Sequence, residues 1–189
     1  FNPFIATGTS QVYMDEFNND NFDHAGLGFL GGAGISAGMF HGRPIGARRV
    51  PPGTPRWGTA WKKANADWYA HSMTIGMQGS CYPHRENYLD LDPTYADAYG
   101  QPLIRMNFNW RDNELKVSQF IAGKQNEIAK AFKADIATPA STMPTLFDTR
   151  NYQSTHITGG TVMGADPSTS VVSPHLQHWD AHNLFVVGA

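Results

Sequence analysis

The chain has little of several things that would mark particular classes of protein. Its 189 residues include one cysteine, Cys81, so no disulfide can form within the chain and no cysteine-rich metal site can be built. Lysine and arginine total only 14 against 16 acidic residues, so there is no basic patch of the kind that nucleic acid requires. There is also no apolar run long enough to span a bilayer, and no signal-peptide pattern.

What is present is the composition of a folded protein. Hydrophobic residues make up 41% of the chain and charged residues 16%, which favours a packed core over disorder. The length suits one good core or two small ones. Because the chain starts at Phe1 without a methionine and stops at Ala189 directly after an apolar run, we expect a piece of a longer protein.

Two helices are predicted from capping residues and apolar spacing. The first starts at Thr54-Pro55, where threonine can cap the free amides and proline fits the first helical position. Its tryptophans recur at helical spacing and predict an aromatic face that belongs to the core: Trp57, Trp61 and Trp68. The second helix covers about 112–133 and is capped by Asp112.

Strands and loops complete the prediction of an α+β fold with a mainly antiparallel sheet and flanking helices. Residues 1–54 are rich in glycine, asparagine and proline and are expected to be mostly loop. Alternating apolar residues predict strands over 72–79 and 103–110, with a turn at 97–102 between them. The continuous apolar run 184–187 is typical of a strand that is buried on both faces.

Two motifs have a functional interpretation that we do not favour. Gly32-Ala-Gly-Ile-Ser-Ala37 fits the dinucleotide pattern G-x-G-x-x-A but lacks a good preceding strand, a helix and the acidic residue that should follow, so we expect a glycine-rich loop packed close to other backbone. His175, His178 and His182, with Asp180, have spacings that could suit zinc, but no predicted helix fixes their geometry. We predict no metal site.

His156 is the strongest candidate for chemistry because Gly159-Gly160 follows it. Histidine is the natural proton acceptor near neutral pH, and glycine lets backbone approach a flat ligand closely. On the residues alone, a structural histidine satisfied by hydrogen bonds is still the commoner case.

Longer blocks around His156 resemble a known family. His156-x-x-Gly-Gly-x-x-Met-Gly164 and Trp179-Asp180-x-x-Asn183-Leu-Phe-Val-Val-Gly-Ala189 are similar to the C-terminal signature of the glucose–methanol–choline (GMC) flavoprotein oxidoreductases. Other blocks resemble the branch of this family that oxidises gluconate, among them Asp20-Asn-Phe-Asp-His24, Pro51-Pro-Gly-Thr-Pro-Arg-Trp-Gly58 and Tyr88-Leu-Asp-Leu-Asp-Pro-Thr-Tyr95.

The resemblance implies an FAD-dependent dehydrogenase of CH–OH groups. Residues 1–40 would be a glycine-rich segment that leads into the substrate-binding domain, residues 41–150 that domain, and residues 151–189 a truncated C-terminal segment of the FAD domain. His156 matches the family's active-site histidine, which would accept the hydroxyl proton of the substrate while hydride passes to flavin N5. The residues that would lie near the cofactor are Gly159, Gly160, Gly188 and Ala189.

The gluconate branch also implies partners and a location. These are a sugar-acid or sugar substrate, a small subunit, a cytochrome c subunit, a periplasmic location and peripheral association with the membrane through the partners. Four arginines are candidates for pairing with a substrate carboxylate, although each alone is more often a surface ion pair: Arg43, Arg85, Arg105 and Arg150.

Two alternatives stay open beside the sugar-acid dehydrogenase. One keeps FAD and changes the substrate to glucose, fructose or a polyol; the other is a non-catalytic domain that only docks partners. The family's N-terminal nucleotide fingerprint is not in this chain, and its second active-site polar residue, His or Asn, would lie beyond Ala189. We therefore expect the FAD site of this chain to be incomplete and the chain alone to be inactive.

Overall fold

The computed structural model describes residues 9–40, 50–69, 71–150 and 159–187. The chain divides into two compact units, each built from two segments. The first unit comprises Phe1–Ser80 with Lys116–Thr142, and the second comprises Cys81–Leu115 with Met143–Ala189. In these described ranges, antiparallel sheets and two helices make up the regular structure, so the predicted α+β class is confirmed at that level.

The first unit contains a three-stranded antiparallel sheet in the order β1-β2-β3. Its strands are β1 (Thr9–Met14), β2 (Ala33–Phe40) and β3 (Thr74–Gly79). The predicted strand over 72–79 is thus confirmed and starts two residues later than expected. The prediction that residues 1–54 are mostly loop is wrong for β1 and β2. Glycines punctuate this region, but tertiary pairing overrides their weak intrinsic preference for strands.

Small residues in and beside the central strand permit close backbone contact. A Cβ atom at Gly32 would lie 2.0 Å from the carbonyl oxygen of Phe17, the oxygen that accepts the Ala33 N–H at 2.8 Å. The motif Gly32–Ala37 therefore packs close to other backbone, as predicted. All of it except Gly32 lies within the strand β2, so the motif does not lead into a helix. This placement does not match the strand–turn–helix context that a nucleotide fingerprint requires.

The core of the first unit lies between this sheet and α2 (Asp112–Ala131). Val117 and Ile121 are one helical turn apart on α2 and pack with three buried residues from the sheet side: Phe29, Ala33 and Ile35. On β3, Ile75 and Met77 pack against the same cluster, as their alternation predicts. The predicted helix over 112–133 is confirmed to within two residues.

The helix α1 (Gly58–Trp68) begins later than predicted. Thr54 does not cap it; its hydroxyl donates instead to the Pro51 carbonyl at 2.7 Å, inside the preceding turn. Trp57 occupies the N-cap position in an extended conformation, and its side chain is 83% exposed. Trp57 is therefore not part of a core, whereas Trp61 and Trp68 are half-buried.

The start of α2 also differs from the prediction. Asp112 is the first helical residue, so it is not the cap. The residue before it, Arg111, accepts the first helical hydrogen bond from Leu115 through its carbonyl at 3.1 Å. Its own N–H donates to the carboxylate of Glu114 at 3.2 Å. A glutamate at the third helical position that reaches back to the cap residue is half of a capping box.

The second unit contains a two-stranded antiparallel ribbon of β4 (Tyr88–Ala96) and β5 (Pro102–Asn107). The predicted turn between them is confirmed, since the Asp97 carboxylate accepts the N–H groups of Tyr99 and Gln101 at 2.8 and 2.9 Å. The predicted strand over 103–110 ends early, at Asn107. Beyond it, Phe108 and Trp110 pack edge-on against Phe147.

The prediction of a buried strand over residues 184–187 is wrong for this chain. Phe185 forms a single bridge with Gln177, and Val186 donates its N–H to the Leu176 carbonyl at 3.0 Å. The side chain of Val187 is 78% exposed. A strand that is apolar throughout is buried only where other elements cover both of its faces, and the exposed side chains of Leu184 and Phe185 show that the described residues do not cover this one. Neither described helix is long and apolar enough to cross a membrane.

Candidate functional site

The site that the sequence predicts is only partly within the described residues. His156, Gly188 and Ala189 lie outside them, so the roles of these three residues stay predictions. Gly159 and Gly160 are described, together with the segment that follows them to residue 187. The geometry around these two glycines is therefore what the structure adds to the predicted site.

Gly159 is a position that only glycine fits. Its φ of +90° lies in the left-handed region, which side chains disfavour. A Cβ atom there would also lie 2.9 Å from Cβ of Pro83. Both reasons come from the chain itself, so the glycine at 159 is explained without any cofactor.

Gly160 has the opposite surroundings. It is exposed, and no described atom lies within 4 Å of the place where its Cβ would be. Of the two glycines predicted to face a cofactor, Gly160 is the one that offers open backbone to a flat ligand. The two glycines therefore differ: Gly159 is packed against Pro83, and Gly160 has an open backbone among the described residues.

A buried carboxylate supports the segment that Gly159 contacts. Glu114 is 5% exposed, and its carboxylate accepts the N–H of Tyr82 at 3.1 Å as well as that of Arg111. Nε2 of His84 lies 3.0 Å from both carboxylate oxygens. Because an ionised carboxylate can only accept hydrogen bonds, His84 donates through Nε2–H.

Sequence reasoning missed this pair. The acidic residues at the start of α2, Asp112 and Glu114, are typical of a helix N-terminus and could have pointed to the capping role of Glu114. Nothing local could have pointed to His84, which is 30 residues away in the sequence.

The family-signature residues after Gly160 are held in place by hydrogen bonds and close contacts within the same segment. The Gly164 N–H donates to the Val172 carbonyl at 3.0 Å, and a Cβ at Gly164 would lie 2.9 Å from Cβ of Ser170. The indole N–H of Trp179 donates to the Ser170 hydroxyl at 3.0 Å. Gly164 and Trp179 thus have structural roles that fix the shape of this segment.

The three C-terminal histidines do not converge. Nδ1 of His178 accepts the N–H groups of Asp180 and Ala181 at 3.0 and 3.2 Å, so this ring closes a turn of the backbone. His175 and His182 are exposed. Within the described ranges, no three His, Cys, Asp or Glu side chains are placed to hold a metal ion.

The candidate arginines have other partners where they are described. Arg105 forms a two-pronged pair with the Asp90 carboxylate, with Nε 2.8 Å from Oδ1, and Arg150 forms a similar pair with Asp148. These guanidinium groups hold the pKa of Asp90 and of Asp148 below the usual range. Arg85 donates to the Ser168 carbonyl at 3.3 Å, and Arg43 lies outside the described residues.

The single cysteine has an environment that does not favour nucleophilic chemistry. Cys81 is an exposed residue with a free thiol. Partial burial of the thiol and the negative charge of Glu114 raise its pKa. Since the thiolate is the reactive form, a raised pKa makes Cys81 a poor candidate for a nucleophile.

Comparisons with known proteins agree with the resemblance. A family model for GMC oxidoreductases matches residues 83–189. The chain is 46% identical, over its whole length and 31% of the relative, to a protein of Pantoea cypripedii named gluconate 2-dehydrogenase flavoprotein. It is 25% identical to the 2-methyl-1,2-propanediol dehydrogenase of Mycolicibacterium austroafricanum, over 97% of this chain and 33% of the relative.

A third relative matches a shorter region. The fructose dehydrogenase large subunit of Gluconobacter japonicus is 32% identical over 62% of this chain and 20% of the relative. The chain therefore spans about a third or less of the length of these relatives. Because the family model covers more than half of the chain, the chain belongs to the GMC oxidoreductase family.

Proposed function

We propose that the chain is the C-terminal part of an FAD-dependent dehydrogenase that oxidises a hydroxyl group of a sugar acid such as gluconate. The observation that carries the proposal is the 46% identity, over the whole chain, to a protein named gluconate 2-dehydrogenase flavoprotein. The other two relatives are also named as dehydrogenases, which supports the reaction class independently of the substrate.

In this proposal the cofactor is FAD, which when bound accepts the hydride from the substrate carbon. Gly160 is proposed to lie against the flat ring of the cofactor, and its open backbone supports this. Gly188 and Ala189 are proposed to approach the cofactor from the end of the chain. Gly159 contributes by allowing the backbone to turn at that point rather than by touching the ring. Residues 151–189 would accordingly belong to the FAD domain, and 41–150 to the substrate domain.

His156 is proposed as the base. An imidazole near neutral pH can accept the proton of the substrate hydroxyl, which leaves the carbon–hydrogen bond free to break with its electron pair. The protein has to hold the base close to that hydroxyl and in the right orientation. The position of His156, three residues before a sterically fixed glycine at 159, supports such a constraint.

The proposal includes partner subunits and a periplasmic location. One relative is named a large subunit, which supports a multi-subunit enzyme. A small subunit and a cytochrome c subunit that takes the electrons onward are proposed on the family resemblance alone.

The test is to replace His156 in the full-length protein. With gluconate and an artificial electron acceptor, His156→Ala should lower kcat by about 10²–10⁴-fold, the contribution of a general base. The matched control is His175→Ala, which removes an exposed histidine of the same C-terminal region and should leave the rate unchanged. A near-normal rate for His156→Ala would refute the assignment of the base.

The alternatives are separated by two further measurements. A substrate panel of gluconate, glucose, fructose and sorbitol decides among dehydrogenases, and a preference for fructose would favour the third relative's named substrate. The visible absorbance of the purified full-length protein separates an enzyme from a docking module, because a module that lacks flavin would show no band from the isoalloxazine.

A further inference from the structure

The segment Tyr82–Pro83–His84 is held to one buried carboxylate from both sides. The backbone N–H of Tyr82 and the imidazole of His84 both donate to Glu114, so the proline between them is anchored at each flank. A capping role for Glu114 would need only the hydrogen bond from Arg111. The two further hydrogen bonds serve the 82–84 segment instead.

Pro83 is in turn the surface on which the Gly159 turn rests. Cβ of Pro83 lies 2.9 Å from where a Cβ of residue 159 would be, and its Cγ lies 3.7 Å from that point. A proline ring is rigid and its φ is fixed, so it cannot give way as a flexible side chain would. Any movement of Pro83 therefore changes the space that residue 159 occupies.

We infer that His84 and Glu114 are positioning residues for the active site. By fixing Pro83 they fix the turn at Gly159–Gly160, and this turn is joined to His156 through only two intervening residues. The inference rests on the proposed function, in which His156 is the base. Neither His84 nor Glu114 takes part in proton or hydride transfer; both act through the turn at Gly159–Gly160.

The experiment uses the full-length flavoprotein and two variants of one residue. His84→Leu removes the donor at similar volume, whereas His84→Gln keeps an N–H group near the position of Nε2. Amide hydrogen exchange is followed by mass spectrometry in peptides that cover residues 159–164, and kcat and KM are measured in parallel. The exchange measurement needs no activity and no bound flavin.

The expected result is a difference between the two variants. In His84→Leu, exchange in the 159–164 peptides should accelerate about tenfold or more, because local opening becomes easier. Its kcat should fall about 10- to 100-fold with little change in KM, since a small displacement of a catalytic group lowers the rate of the chemical step. His84→Gln should stay close to the parent protein in both measurements.

Two further variants keep the test decisive. Val117→Ala weakens the buried core of the first unit without touching the 82–84 segment, so it should not accelerate exchange at 159–164 selectively. Pro83→Gly removes the Cβ and Cγ atoms that lie against residue 159 but leaves the hydrogen bonds to Glu114 in place, and it should reproduce the effect of His84→Leu. This proline variant also tests the inference if His84→Leu does not fold.

The outcomes separate this inference from the proposed function. Unchanged exchange at 159–164 in both His84→Leu and Pro83→Gly would overturn the inference. Faster exchange with unchanged kcat would contradict the claim that the turn at Gly159–Gly160 positions His156. If the parent protein binds no flavin, the proposed function fails, while the exchange data still decide whether the pair supports the turn.

Discussion

The three-stranded sheet of the first unit and the ribbon of the second have similar alternating sequences and different burial. On β3, Ile75 and Met77 pack against a buried cluster. On β5, the side chains of Ile104 and Met106 are 73% and 54% exposed. The alternating pattern is the same in both strands, so the pattern alone did not decide which face is buried.

The comparison shows what an alternating pattern can and cannot predict. Register pairs Leu89 with Met106 and Leu91 with Ile104, so these four apolar side chains share one face of the ribbon. The opposite face carries the Asp90–Arg105 pair. An alternating pattern predicts which side chains share a face of the strand. Burial of that face also requires an element such as α2 to cover it.

The largest expected effect separates the two regions directly. Ile35→Ala, in the buried cluster, should lower the free energy of unfolding by about 2–5 kcal/mol, because it removes apolar burial and leaves a cavity. Ile104→Ala, on the ribbon, should change it by less than about 0.5 kcal/mol. Urea unfolding followed by far-UV circular dichroism measures both, and equal losses would contradict the difference in burial.

The second expected effect concerns backbone approach in the sheet. Gly32→Ala places a methyl group against the Phe17 carbonyl, which is backbone and cannot rotate away. We expect a loss of about 1–3 kcal/mol in the free energy of unfolding, as for other overpacked sites. The measurement is again urea unfolding, and a neutral result would mean that the Phe17 turn moves freely.

A third substitution of the same kind should have the opposite sign. Gly123 lies in α2, is exposed and has no described atom within 4 Å of its would-be Cβ. Gly123→Ala should therefore raise the free energy of unfolding by about 0.5–1 kcal/mol, the difference in helix propensity. It is the matched control for Gly32→Ala, and a destabilised Gly123→Ala protein would count against the helix assignment.

The smallest expected effect lies on the polar face of the ribbon and depends on pH. The Arg105 guanidinium lowers the pKa of Asp90, so the ionised carboxylate stabilises the folded state above the unfolded pKa of about 4. That contribution is lost as the pH falls through the lower pKa of the folded state. Urea titrations at pH 7 should show a small difference in the free energy of unfolding between the parent protein and Asp90→Asn. The same titrations at pH 3 should show a smaller difference.

The ion pair gives this last prediction its own control. Arg105→Gln removes the cause of the lowered pKa, so Asp90→Asn introduced on top of it should have no further pH-dependent effect. A difference between the parent protein and Asp90→Asn that is as large at pH 3 as at pH 7 would assign the stabilisation to something other than the charge of Asp90.

Particular residues show how far the sequence could lead. The helix over 112–131 and the turn at Asp97 were predictable, because helical spacing and turn chemistry are local. The N-cap of α1 was not, because Thr54 and Pro55 also suit the turn that the chain forms there. At the candidate site, the sequence indicated Gly159 and Gly160 but could not distinguish the one packed on Pro83 from the one with an open face.

The sequence by itself determined the family, the candidate base His156, the helix α2 and the turn at Asp97, since each of these depends on residues close together in the chain. Only the tertiary structure decided which apolar face is covered and that His84 reaches Glu114. Both depend on contacts between residues about 30 or more positions apart, and no pattern within a short window records such a distance.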